Sequence, residues 1–199
     1  MMWRKGLNDS FYVDTGMEFP ETLDYISEIT EKWNIRNLHI LHPKVSIWNI
    51  PPSPRKYFLP CTYWLKIEPF IRFIKRSSII IKSVFLGDRG DEHSERMKLL
   101  TKTLIHKNFA ISSIVSIYPL GYWRDSDVQQ FIQRHNIPIN AIYSKGYDRV
   151  GCIFCPYQNF ENLEKYNPAL LKYLLLKTNS KDLVDLKNNL SKIFIKEKI

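Results

Sequence analysis

The chain has little of what marks disorder, secretion or insertion into a membrane. Only 7 of its 199 residues are glycine, and it carries no internal repeat. With 44% apolar and 14% aromatic residues, this excludes a low-complexity chain and predicts one well-buried domain. No apolar run reaches the ~20 residues a membrane-crossing helix needs. The longest one, residues 78–86, is interrupted by Lys82. Met1-Met2-Trp3-Arg4-Lys5 leads into no signal-type apolar stretch, so a cytoplasmic protein with no membrane partner is expected. Cysteine is scarce. Three cysteines, an odd number in a reducing compartment, point away from structural disulfides and towards a metal or redox role. Acidic residues are outnumbered, 20 against 29 Lys and Arg, for a net charge of +9. That balance favours anionic partners such as a nucleotide or nucleic acid, although the basic residues are spread along the whole chain.

Short apolar stretches alternate with helical patterns. Residues 10–13, 37–41, 78–86 and 111–117 read as strands. A helix opens at Pro20-Glu21-Thr22 with Leu23, Ile26, Ile29 and Trp33 on one face. Residues 62–75 predict a second helix bent at Pro69, and residues 92–100 a third. A fourth starts near Asp125 with Val128, Phe131, Ile132 and His135 inward. Prolines 43, 51, 52, 54 and 60 forbid regular helix between the second strand and the second helix, and predict a long surface loop. Residues 159–199 predict two or three amphipathic helices. The order implies an α/β fold with a mostly parallel sheet covered on both sides. Ligands of such sheets sit beyond the carboxyl ends of the strands.

The chemistry-bearing residues fall at those ends. Cys152-Ile153-Phe154-Cys155 is a CxxC between Gly151 and Pro156, and Cys61 supplies a third sulfur from a helix start. Three thiolates can hold a metal or cluster with one coordination position open; a redox pair or buried thiols is the alternative. Helix starts favour thiolates, so Cys61 is expected to ionise readily. Arg149, with Gly146 and Gly151, places a cation just before the CxxC. Arg89 and Arg96 lie within Gly87-Asp88-Arg89-Gly90-Asp91-Glu92-His93-Ser94-Glu95-Arg96 and could clamp a phosphate or sulfate; a surface salt-bridge network fits equally well. Asp14 and Gly16, in Asp14-Thr15-Gly16, suit a nucleoside at a strand end. His39, His42 and His135 read as structural, and His93 is marked by its place between the two arginines.

Four ordered segments, residues 13–22, 61–69, 87–96 and 118–156, resemble the phosphoadenosine phosphosulfate reductase (sulfonucleotide reductase) family of the adenine nucleotide alpha hydrolase-like superfamily. The resemblance implies a three-layer α/β sandwich over residues 1–156, with residues 157–199 as a helical extension. It implies that Asp14 and Gly16 border adenosine, with Arg89 and Arg96 at the phosphate or sulfate end. It also implies that Cys61, Cys152 and Cys155 hold a 4Fe-4S cluster, with zinc as the alternative. ATP or an adenylyl sulfate-type nucleotide is then the ligand, with a thiol redox donor or nucleic acid as further partner. The sequence departs from the family in three places. It lacks the Ser-Gly-Gly-Lys-Asp-Ser phosphate loop and its strand, so an N-terminally truncated domain is expected, or one completed by another chain. His93 replaces a usual serine, and no cysteine follows Cys155. No catalytic residue is assigned. Reduction by this chain alone is not expected, and the alternative is a non-catalytic binding module with a structural metal. The missing strand leaves a sheet edge open, which predicts a homo-oligomer or a partner subunit.

Overall fold

Aromatic and β-branched residues extend into β1 (Asp9–Val13) and β2 (Asn37–Leu41), which pair in parallel from Asp9 opposite Asn37 to Val13 opposite Leu41. A parallel pair needs a crossover, and α1 (Pro20–Lys32) supplies it. Pro20 takes the first turn, where its missing N–H leaves nothing unpaired, and Glu21 follows at the positive end of the helix. This computed structural model describes residues 9–55, 58–100, 103–108, 111 and 113–195. Thr22 is the buried residue of α1, and the buried Asn140 donates to its hydroxyl at 3.0 Å. The expected apolar face is rotated: Leu23 and Trp33 are exposed, while Ile26 and Ile29 are half-buried.

Residues 60–76 are helical in three stretches: α2 (Pro60–Thr62), a wide π-type turn (Tyr63–Ile67) and α3 (Glu68–Arg76). The expected irregularity lies in the turn before Pro69. A proline ring crowds the carbonyl four residues back, which here belongs to Leu65.

The chain divides into two units, residues 1–70 with 139–199 and residues 71–138. In the second, β3 (Ser83–Phe85) runs parallel to β5 (Val115–Ile117), and β4 (Ile105–Lys107) runs antiparallel on the other side of β5. The strands expected at 78–86 and 111–117 are therefore shorter, and β4 was not expected. Ile80, 85% exposed, lies outside the ladder. Helices α4 (Ser94–Leu100) and α5 (Asp125–His135) complete this unit. Asp127 accepts from the Arg124 backbone N–H at 2.8 Å and caps α5. Its expected inner face is not buried: Phe131 and His135 stack on each other and are exposed.

The first unit holds the larger core. Phe19, Leu65, Tyr147, Ile153 and Phe154 pack in one cluster with Phe160, Leu163, Leu171, Leu174, Leu186, Leu190 and Phe194. The last seven belong to α6 (Phe160–Tyr166), α7 (Pro168–Thr178) and α8 (Leu183–Phe194). The helices beyond residue 156 share this core with Phe19, Leu65, Ile153 and Phe154, because their leucines at helical spacing need an apolar face to cover. No helix among the described residues is long and apolar enough to cross a membrane.

Glu21 pairs with Lys145, which ends a short helical turn (Ala141–Lys145). Burial pushes the Glu21 carboxyl up, but the hydrogen bond and charge of Lys145 outweigh it and hold the carboxyl below its ordinary value. A carboxyl depressed on folding stabilises above its unfolded value and loses that contribution as pH falls through the folded one. Lys145→Met should therefore cost about 0.2–1 kcal/mol at neutral pH, the range of a partly solvated pair. In urea titrations the variant and the parent should converge once Glu21 is protonated.

Candidate functional site

The carboxyl end of the β1–β2 pair carries the site. The Asp14 N–H donates to Leu41 O at 2.9 Å and extends the ladder by one bond. The chain then turns sharply. The Gly16 N–H donates to Asp14 Oδ1 at 2.8 Å, and Gly16 takes φ 76°, the left-handed region that a side chain disfavours. Open space stands where a Cβ on Gly16 would be, so a ligand can approach the backbone there. His42, at the end of β2, places Nδ1 3.7 Å from Asp14 Oδ2. Asp14 and Gly16 thus stand together as expected, and His42, read as structural in the sequence, joins them.

The CxxC meets this rim. Ile153 N–H donates to Met17 O at 2.8 Å, and the buried Ile153 and Phe154 anchor the cysteine turn in the core. Cys152 Sγ lies 3.4 Å from Thr15 Oγ1, whose hydroxyl donates to Glu18 Oε1 at 2.8 Å. Burial pushes the Cys152 thiol up, Glu18 and Cys155 adding to it, while Lys66 and Thr15 oppose. Tyr12 ends the row. Its hydroxyl is buried without a hydrogen-bond partner among the described residues, and its pKa is raised by burial first and by Glu18, Asp14 and Cys152 after it. Thr15, Glu18, Tyr12 and Lys66 were missed in the sequence; only the i, i+3 spacing of Thr15 and Glu18 could have signalled one of their contacts.

Two electrostatic expectations are corrected. Cys61 lies at the helix start as expected, yet burial outweighs that position and pushes its thiol up. The cation acting on Cys152 is Lys66, while Arg149 is exposed and is not among the groups that shift it. The charge of Cys155 bears on both Cys61 and Cys152. Among the described residues no group of three or more His, Cys, Asp or Glu is placed to hold a metal ion. As placed, the side chains do not fit a cluster or a zinc ion.

In the second unit, Arg89 follows β3 and is held by Glu92 (Nε to Oε1, 3.4 Å) and Asp125 (Nη2 to Oδ1, 3.3 Å). The salt-bridge network is therefore present. It leaves Arg89 Nη1 buried with no partner among the described residues. Gly90 N–H donates to Gly121 O at 2.9 Å and fixes the loop that carries Arg89. Arg96 lies on α4, but its side chain is outside the described residues. His93 is exposed.

Parallel strands with crossover helices and polar residues at the strand ends define an α/β domain of the class whose ligands sit beyond the carboxyl ends of the strands. The chain belongs to the phosphoadenosine phosphosulfate reductase domain family, whose model matches residues 1–158. It is 31% identical over 150 residues to an uncharacterised protein of Methanocaldococcus jannaschii, covering 73% of this chain and 34% of that one. It is 29% identical over 161 residues to an adenosine 5'-phosphosulfate reductase of Oceanobacillus iheyensis, covering 75% and 61%. Among solved structures it is similar to a phosphoadenylyl-sulfate (PAPS) reductase from Candida auris in complex with phosphate. That match has TM-score 0.55 and 23% identity and covers 73% of this chain and 69% of that one, so it bears on the fold alone. The chain spans about a third of the length of its two Methanocaldococcus relatives, 32% and 34%.

Proposed function

We propose that the chain binds an adenine nucleotide of the sulfonucleotide type at the carboxyl end of β1 and β2 and handles sulfur at the adjoining cysteines. The observation that carries this reading is the approach of Cys152 Sγ to Thr15, 3.4 Å from its Oγ1, inside the Asp14-Thr15-Gly16 turn. One rim then offers a carboxylate acceptor for ribose or adenine, an open backbone at Gly16, and a sulfur within reach of both. Membership of the family supports a sulfonucleotide over other adenine nucleotides. Within the second unit, Arg89 supports an anion site of its own, since a buried guanidinium nitrogen without a partner among the described residues is costly unless a ligand completes it. The iron–sulfur or zinc centre implied for Cys61, Cys152 and Cys155 would require the sulfurs to be drawn into one set, and the chemistry assigned here does not pass through it. Sulfur transfer or reductase-type chemistry is the class of reaction that fits this rim.

Thermal denaturation with ATP and with adenylyl sulfate tests the reading. A ligand present at ~100 times its dissociation constant should stabilise the fold by ~2.7 kcal/mol. Adenylyl sulfate should raise the melting temperature more than ATP does, and Asp14→Ala should diminish both shifts. No shift with either nucleotide at any concentration would defeat the proposal.

A further inference from the structure

The leucines of α7 turn one side of the helix inward and leave the other to solvent. Leu171 and Leu174 are buried in the core, with Leu170 and Leu175 packed against it. The outer side carries Lys172, Tyr173, Leu176 and Lys177, which are neighbours at spacings of three and four residues. The two lysines flank the tyrosine and the leucine. All four are exposed, Tyr173 at 48% and Leu176 at 74%. Lys181 follows in the turn after α7, and Lys187 and Lys192 lie on α8, exposed as well. Among the described residues no carboxylate pairs with any of these lysines. The nearby acids are committed to the backbone. Asp182 accepts from the Asp185 N–H at 2.8 Å, and Asp185 accepts from the Lys181 N–H at 3.1 Å. Lys177 lies 5.6 Å from the centre of the Trp48 ring, and Lys192 donates to Asn189 Oδ1 at 3.4 Å; neither contact neutralises the charge. This positive face lies beyond residue 158, where the match to the family model ends.

We propose that this face of α7 and α8 binds single-stranded nucleic acid, with a base stacked on Tyr173 and phosphates held by the lysines. Charge sets the sign of the partner. An uncompensated positive face on a chain of net charge +9 attracts polyanions and repels a second copy of itself. The apolar groups set the kind. Every unpaired base offers a π-face to an aromatic side chain, whatever the sequence. A duplex keeps those faces stacked inside and would set its charged backbone against Leu176 and Tyr173. An anionic membrane would attract the lysines, yet even a single myristoyl chain anchors only marginally. Leu176 and Val184, the exposed aliphatic residues here, together offer fewer apolar carbons than that chain. The surface is independent of the Asp14 rim, so a failed thermal shift with nucleotides would leave it intact.

The full chain is titrated into a short labelled oligothymidylate and followed by fluorescence anisotropy between about 50 and 200 mM salt. A single strand releases about 0.7 counterion per phosphate neutralised, so about four lysine contacts give a log–log slope of about −3. Lys172→Gln combined with Lys187→Gln should make that slope shallower by about 1.4. Lys75→Gln combined with Lys82→Gln removes the same charge from the second unit and should leave the slope unchanged. Tyr173→Ala should weaken binding by about 5- to 140-fold, the worth of one stacked base, and Tyr173→Phe should keep the parent affinity. All of these side chains are exposed, and circular dichroism checks the fold of each variant. A duplex bound as tightly as the single strand, equal loss from the two lysine pairs, or full affinity in Tyr173→Ala would each overturn the proposal. So would no binding at the lowest salt, which would make this a solvated face. Tighter binding to phosphatidylserine vesicles than to the oligonucleotide would overturn it too.

Discussion

Arg89→Gln should weaken binding of a sulfate or phosphate anion to the second unit by at least about 30-fold, measured by isothermal titration calorimetry against the parent chain. The side chain is 15% exposed and already spans two carboxylates, Glu92 and Asp125, leaving Nη1 as the buried donor free for an anion. Truncating one partner of a buried, hydrogen-bonded charge pair costs roughly 2–5 kcal/mol, and each 1.4 kcal/mol is about tenfold in affinity. The fold should tolerate the change. Glu92 and Asp125 lose their cation, but both side chains reach water, at 35% and 71% exposure, and solvent replaces most of what is lost. Arg89→Lys should fall between the two, because an ammonium keeps the charge but not the planar fork. Equal affinity in all three proteins would show that Arg89 serves only its salt bridges.

Leu186→Ala should give the largest loss of stability. Leu174, Leu186 and Leu190 are fully buried, each with 0% of its surface exposed, and they pack with Ile153 and Phe154 of the cysteine turn. Removing a buried leucine to alanine costs about 2–5 kcal/mol, which for a chain of this size is roughly 2–4 °C in melting temperature per kcal/mol. A fall of about 4–20 °C in a calorimetric scan is expected. The same variant should loosen the CxxC turn, seen as faster alkylation of Cys152. If the helical tail were an appendage, the substitution would leave both the turn and the site untouched.

Much of the fold was legible because apolar periodicity and proline placement act locally. The strand at 10–13, the helix opened by Pro20 and the break of the helix near Pro69 follow from residues within a few positions of one another. Asp14 and Gly16 were legible for the same reason, since a turn after a strand is set by its own residues. The misses are tertiary. β4 is three residues long and exists only because β5 offers a ladder beside it. Leu23 and Phe131 look like core residues by spacing and are exposed, since nothing in the sequence says which face of a helix finds a neighbour. Arg149 and Lys66 compete for the role of cation near Cys152, and adjacency in sequence pointed to the wrong one.

By itself the sequence determined the kinds of element, the strand-end placement of Asp14, Gly16 and Arg89, and the presence of three sulfurs. Spacing and side-chain chemistry suffice for those. Only the tertiary structure decided that α6, α7 and α8 pack with Phe19, Ile153 and Phe154, that Thr15 stands between Cys152 and Glu18, and that no three His, Cys, Asp or Glu among the described residues are placed to hold a metal ion. Those outcomes depend on packing between segments more than 100 residues apart, such as Thr15 and Cys152 at a separation of 137. Burial and hydrogen-bond partners at such range are properties of the folded chain, and no local pattern encodes them.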